Sequence, residues 1–211
     1  MKYIKKGNAP ASLVYHKKQS FSTYDNYKEK DDVRTSLLQE QGFICCYCMS
    51  RINKRSMKIE HWLSQSENEE NTLDYKIMLG GCLGFQNSPY NKQCCDTHRK
   101  NIKLTINPTD QFMVDTIKYL TNGKIISENA DYNNDIDVTL NLNTELLREN
   151  RKSLYRAMIS FMGKRKEPWN ESDIRRAIKR YLSKDENGAY VPYCQVALYF
   201  LQKRLSKHKV R

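Results

Sequence analysis

Two cysteine groups, Cys45-Cys46-x-Cys48 and Cys94-Cys95, stand with Cys82 on either side of a glutamate and a histidine, Glu60 and His61. Asp96 follows the last cysteine directly. Thiolates at C-x-x-C spacing reach one ion across a tight turn, at roughly 2.3 Å, and four of them leave no open position, so the set describes a closed structural zinc site. Cys45 and Cys48 supply the first pair. The second comes from Cys82, Cys94 and Cys95; Cys82 and Cys95 are favoured, with Cys46 and Cys94 as spare thiols. Seven cysteines, an odd number with five in two tight groups, argue for reduced thiols around a metal and against a disulfide framework.

Inside that bracket the residue types suit hydrolytic chemistry. A neutral histidine can deprotonate water for attack on a phosphodiester while a divalent cation neutralises the phosphate. Magnesium and manganese take oxygen ligands, which Glu60 and Asp96 would supply, and His61 would be the base. Arg99 and Lys100 follow as candidate backbone phosphate contacts. His98 is read on the exposed face of a short helix, as a phosphate contact, a second ligand or a solvated residue, and His16 and His208 as surface residues.

The rest of the composition agrees with a polyanionic partner. Lys and Arg total 36 against 24 Asp and Glu, a formal net charge of +12. Basic pairs recur along the chain, in Lys54-Arg55, Lys164-Arg165-Lys166, Arg175-Arg176, Lys179-Arg180, Lys203-Arg204 and the tail Lys209-Val210-Arg211. The 14 tyrosines can stack on unpaired bases or pack a core. No apolar run approaches 18 residues and no signal-peptide pattern opens the chain, so no membrane partner and a cytoplasmic location are expected.

The elements that must position these residues read as α+β. Residues 1–27 lack helical periodicity and are expected to form an extended arm. A helix from Asp31 stops at Gly42 and leads into "FICCYCMSRI". Ser56 to Trp62 reads as a strand, Ser64 to Asn71 as a polar loop, and "TLDYKIMLGGC" as a short helix ended by Gly80-Gly81. Alternation around Asn122-Gly123 predicts a hairpin. Asn143 is expected to cap a long helix through Leu147, Leu154, Met158 and Phe161 to Gly163, and Pro168-Trp169 to break it. Asn170 or Ser172 then starts a helix through "IRRAIKRYL", and Pro192 opens a last one.

Taken together, "ICCYC", "MKIEHW", "GGCLG" and "CDTHRKN" resemble the HNH, or ββα-metal, endonuclease family. The likeness is to the HNH-like subunits of Septu-type and retron-associated antiphage defence systems, whose start also resembles "MKYIKKGNAP". It covers about residues 1 to 110. It implies a zinc-clipped ββα-metal core over 28–110, preceded by the 1–27 arm and followed by a hairpin and helical basic region, 111–211, that docks a partner. It also implies His61 as general base, Asp96 as a divalent-metal ligand, Glu60 as a ligand or its neighbour, and Cys45, Cys48, Cys82 and Cys95 as zinc ligands. The implied activity is that of a toxic effector nuclease cutting DNA or RNA, tRNA included. Its implied partners are an ATPase of ABC or SMC type and, in a retron, a reverse transcriptase with its RNA–DNA product. One position departs: the family's central asparagine falls on Ile77, with Asn71, Asn87 and Asn91 as spatial substitutes. That departure keeps open a catalytically weak, zinc-stabilised nucleic-acid-binding or scaffold module.

Overall fold

A computed structural model describes residues 1–63, 71–164 and 169–208. The loop expected from Ser64, the Lys164-Arg165-Lys166 run beyond its first residue, Pro168 and the tail from Lys209 lie outside the described residues. The fold is α+β. Helices α1 (Ala11–Lys17) and α2 (Lys30–Gln41) precede strands β1 (Met57–His61) and β2 (Met78–Cys82) and the short α3 (Cys95–Arg99). After α4 (Gln111–Asp115) come β3 (Ile117–Tyr119) and β4 (Ile125–Ser127). α5 (Ala130–Asn134) then runs into a π-helical turn, Asp135–Thr139, ahead of α6 (Glu145–Gly163), α7 (Glu171–Leu182) and α8 (Cys194–His208). β1 pairs antiparallel with β2, and β3 with β4, as two separate two-stranded sheets.

Local chemistry explains most of these boundaries. Gly42 caps α2 in the left-handed region at φ 59°, where glycine has no Cβ penalty. Asn170 and Asp173 close a reciprocal capping box that starts α7. The Asn122-Gly123 turn joins β3 to β4 as expected, and a Cβ on Gly123 would come within 2.1 Å of the Arg148 carbonyl oxygen.

Three expectations are corrected. The arm is not wholly extended, because Ala11–Lys17 forms two helical turns that bury Leu13, too few for periodicity to reveal. "TLDYKIMLGGC" is a 3₁₀ turn, Tyr75–Ile77, followed by β2. Gly80 serves close approach, since a Cβ there would sit 3.1 Å from Met57 Cε and 3.2 Å from Gln41 Nε2. Thr144, not Asn143, is the N-cap of α6; Asn143 instead bonds both the N–H and the carbonyl of Ile125, each at 2.9 Å.

The principal core runs from Met1, Ile4 and Leu13 through Val33, Leu37, Cys45, Leu79, Ile106, Ile136 and Leu147 to Val196. It therefore draws on all three expected segments. A second cluster, Met158, Met162, Trp169, Ile174, Ala197 and Leu201, packs α6, α7 and α8 together. Among the described residues no helix is long and apolar enough to cross a membrane.

Candidate metal centre and active site

The β1–β2 register sets Met57 against Cys82 and His61 against Met78. At about 3.3 Å per residue the sheet thus spaces His61 from Cys82 by roughly 13 Å. One end meets a cysteine cluster and the other carries the histidine.

Cys45, Cys48, Cys82 and Cys95 bring their sulfurs within 4.8 Å of one another. The Cys45–Cys95 and Cys48–Cys82 separations are 3.9 and 3.8 Å. A tetrahedron with zinc–sulfur bonds of 2.3 Å requires about 3.8 Å between sulfurs, so four cysteines here could hold a structural metal such as zinc. Cys95, rather than Cys94, belongs to this set.

Two backbone devices build the cluster. In the first knuckle Ile44 bridges Arg51, the Cys45 N–H donates to Ser50 O at 2.9 Å, and Met49 turns through φ 64°. In the second, Gly84 turns at φ 55°, where a Cβ would meet Cys94 O at 2.2 Å. The Cys82 N–H donates to Cys45 Sγ at 3.3 Å, and the Ser50 N–H to Cys48 Sγ at 3.5 Å. Hydrogen bonds from Cys45 and Cys82 hold the Cys48 thiol well below its ordinary value. Against the upward push of burial, bonds from Cys46, Cys82 and Cys95 bring Cys45 down to about 5, while burial drives Cys95 up. Some of the crowded thiols give up protons that others retain, and a divalent cation would displace the remainder.

Residues 190–193, just ahead of α8, clasp this knuckle. The Tyr190 N–H donates to Gly42 O at 2.9 Å, the Tyr193 N–H to Met49 O at 3.2 Å, and Arg51 Nη2 to Tyr190 O at 2.6 Å. A side-chain relay continues into α6: Asn150 Nδ2 lies 3.0 Å from the Tyr193 hydroxyl, that hydroxyl 2.7 Å from Ser50 Oγ, and Ser50 Oγ 3.1 Å from Cys48 Sγ. Asn150 Nδ2 donates to the Tyr193 hydroxyl, and the Cys48 thiol donates to Ser50 Oγ. Were Cys48 a metal-bound thiolate, it would instead accept from the Ser50 hydroxyl.

At the other end of β1, successive strand side chains alternate, so Glu60 faces α3 while His61 turns the other way. His61 is buried edge-on against Tyr24, with ring centroids 4.6 Å apart, and its Nε2 lies 2.9 Å from Thr72 O. A carbonyl accepts, so Nε2 carries the hydrogen and the neutral ring has its lone pair on Nδ1. Burial lowers the His61 pKa from its ordinary value, over the opposing pulls of the Thr72 bond and Asp96. The neutral form that a general base requires is thus favoured.

Glu60 accepts from the Tyr47 hydroxyl at 2.8 Å and is ion-paired to Arg99. Burial, and then the hydrogen-bonded neighbouring carboxyl of Asp96, push Glu60 well above the usual carboxylate range. Asp96 is partly exposed on α3, 3.5 Å from Lys58 Nζ. Glu60 and Asp96 therefore meet, and Asp96 also acts electrostatically on His61.

Two residue expectations are corrected. Arg99, read as a phosphate contact, is 1% exposed; its guanidinium donates to Glu60 and to the carbonyls of His61, Trp62 and Ile102. His98, read as exposed, is buried with Nδ1 3.0 Å from Thr139 O and its ring stacked on Tyr90. Lys100 is exposed, 5.0 Å from the Tyr90 ring. At Ile77 the backbone makes a connection to the His61 loop, its carbonyl accepting from the Trp62 N–H at 2.9 Å. Asn71, Asn87 and Asn91 are exposed.

Sequence reasoning missed Lys58, Gln41, Tyr47, Ser50 and Tyr193. Lys58 was within reach, since it lies two residues from Glu60 on the same strand face. Gln41 grips both the N–H and the carbonyl of Gly80, at 2.6 and 2.8 Å, and carries no spacing signal. Comparison with models of known families and with curated proteins finds no match to this chain.

Proposed function

We propose that this chain is a metal-dependent endonuclease of the HNH type, hydrolysing phosphodiester bonds in DNA or RNA. The observation that carries the reading is a β1–β2–α3 unit clipped by four cysteines, with Glu60 beside Asp96 on its α3 face and His61 next along β1. His61 would take the proton of the attacking water at Nδ1, its ring oriented by Thr72. Asp96 is the partly exposed carboxylate that would hold magnesium or manganese, with Glu60 behind it fixed by Tyr47 and Arg99. When bound, that cation would neutralise the phosphate and stabilise the leaving oxygen. Lys58 would have to move off Asp96 for the ion to enter. Lys100 would anchor the backbone.

A specific observation favours a second reading. Lys58 sits on Asp96 and His61 is buried, as in a zinc-stabilised module that binds nucleic acid without cutting it. Incubating the zinc-loaded protein with magnesium or manganese and single-stranded or duplex DNA, RNA or tRNA decides between them. Cleavage should appear with the wild type and fall about 10²- to 10⁴-fold in His61→Ala. If the two behave identically on every substrate, the binding module is the better description. The resemblance to defence-system subunits also supplies an ATPase of ABC or SMC type, with or without a retron reverse transcriptase, as a proposed partner. Co-purification with candidate partners tests it.

A further inference from the structure

The segment joining α1 to α2 carries an unburied aromatic ring. Phe21 is 93% exposed and Tyr15, on α1, 71%. Phe21 also has a left-handed backbone, φ 59°, which a non-glycine residue holds only when its surroundings enforce it. They do so through a set of bonds. Asn26 Nδ2 donates to Phe21 O at 2.9 Å, and the Thr23 N–H to Asn26 Oδ1 at 2.9 Å. Asn26 N–H reaches Thr23 Oγ1 at 3.2 Å, and His16 Nε2 lies 3.0 Å from Thr23 O. The ring is held out on a built loop.

That loop adjoins His61. Tyr24, three residues on, packs its ring against His61, and Lys30 Nζ stands 4.5 Å from the Tyr24 ring. Three residues span at most about 11 Å of backbone, the rise of about three stacked nucleotides at ~3.4 Å each. Lys17, Lys18 and Lys28 are exposed on the same segment and Lys30 partly so, ahead of the exposed Asp31 and Asp32 in the first turn of α2. A duplex keeps its base faces covered, whereas an unpaired base offers a face that an exposed aromatic can stack on.

We propose that Phe21 is a base-stacking platform for an unpaired nucleic-acid strand, whose phosphates run past Lys17, Lys18, Lys28 and Lys30 toward His61. The inference rests on the nuclease reading for its ligand. Its readout is binding, so the two can fail separately.

The test uses the full zinc-loaded chain carrying His61→Ala, without magnesium or manganese, so that nothing is cut. Fluorescence anisotropy at fixed salt measures affinity for labelled single-stranded DNA, single-stranded RNA and the matching duplexes. Phe21→Ala and Phe21→Leu should each weaken single-strand binding about 5- to 100-fold, the worth of one base–aromatic stack, and leave duplex binding nearly unchanged. Phe21→Tyr should retain it. Lys17→Gln should lower the single-strand salt slope by about 0.7. The DNA and RNA arms show which strand the platform prefers. Single-strand affinity unaffected by Phe21→Ala, or lost equally on duplexes, overturns the proposal, the former being expected if the ring instead meets a protein. A Phe21 effect on binding without any His61-dependent cleavage by the unmutated protein would keep the platform and remove the nuclease.

Discussion

Glu60 and Arg99 hold each other inside the protein, and what each can do follows from that pairing. Breaking a buried pair by removing one partner costs about 3–5 kcal/mol, and here Arg99 also satisfies the carbonyls of His61, Trp62 and Ile102. Arg99→Met should therefore lower unfolding free energy by about that amount in urea titrations, and adding Glu60→Gln should restore part of it. A phosphate-contact arginine would behave otherwise, changing the salt slope of binding with little effect on stability. The cluster of four cysteines was legible because its spacing is what one ion would require locally. Arg99 was not, because its partner lies 39 residues away on a strand whose position only the fold provides.

Among the elements, β2 is the instructive case. Its two glycines read as a helix stop, yet Gly80 exists to let Met57 and Gln41 approach, and that requirement is set by α2. The α2 stop, the β3–β4 turn and the start of α7 were legible because each rests on residues beside it. The clasp of residues 190–193 on the knuckle was not, since Ser50 and Tyr193 lie 143 positions apart. Outer-shell partners of metal ligands typically matter 10- to 100-fold in affinity. Tyr193→Phe should thus weaken zinc binding by about that factor in chelator competition, with helix content by circular dichroism unchanged. An unaltered affinity would mean that the relay only packs. Gly84→Ala forces a Cβ to 2.2 Å from Cys94 O and should weaken zinc binding as well.

At the scale of the whole molecule the principal core ties the clip to α6 and α8 through Leu147, Cys194 and Val196, and a second cluster ties α7 to those two helices. Stripping zinc with a chelator should therefore lower the melting temperature of the entire far-ultraviolet signal in one transition, where a detachable finger would leave the α6–α8 signal in place. Alkali supplies a second test. Burial raises Tyr24 and Tyr193 to about 12, and pushes Tyr119 higher still. The unfolded chain ionises these groups near their ordinary value of about 10. Folded pKa values above unfolded ones mean stability that is present below pH ~10 and lost as pH rises through about 12. Tyrosinate absorbance and loss of ellipticity should rise together across that window, and Tyr193→Phe should blunt the fall.

The clasp also has a consequence in time. A ribosome adds about 5–20 residues per second, so the 143 positions between Ser50 and Tyr193 take roughly 7 to 30 s to synthesise. Throughout that interval the knuckle stands without residues 190–193 and without α8. The nascent chain has Cys45, Cys48, Cys82 and Cys95 long before it has the segment that closes over them.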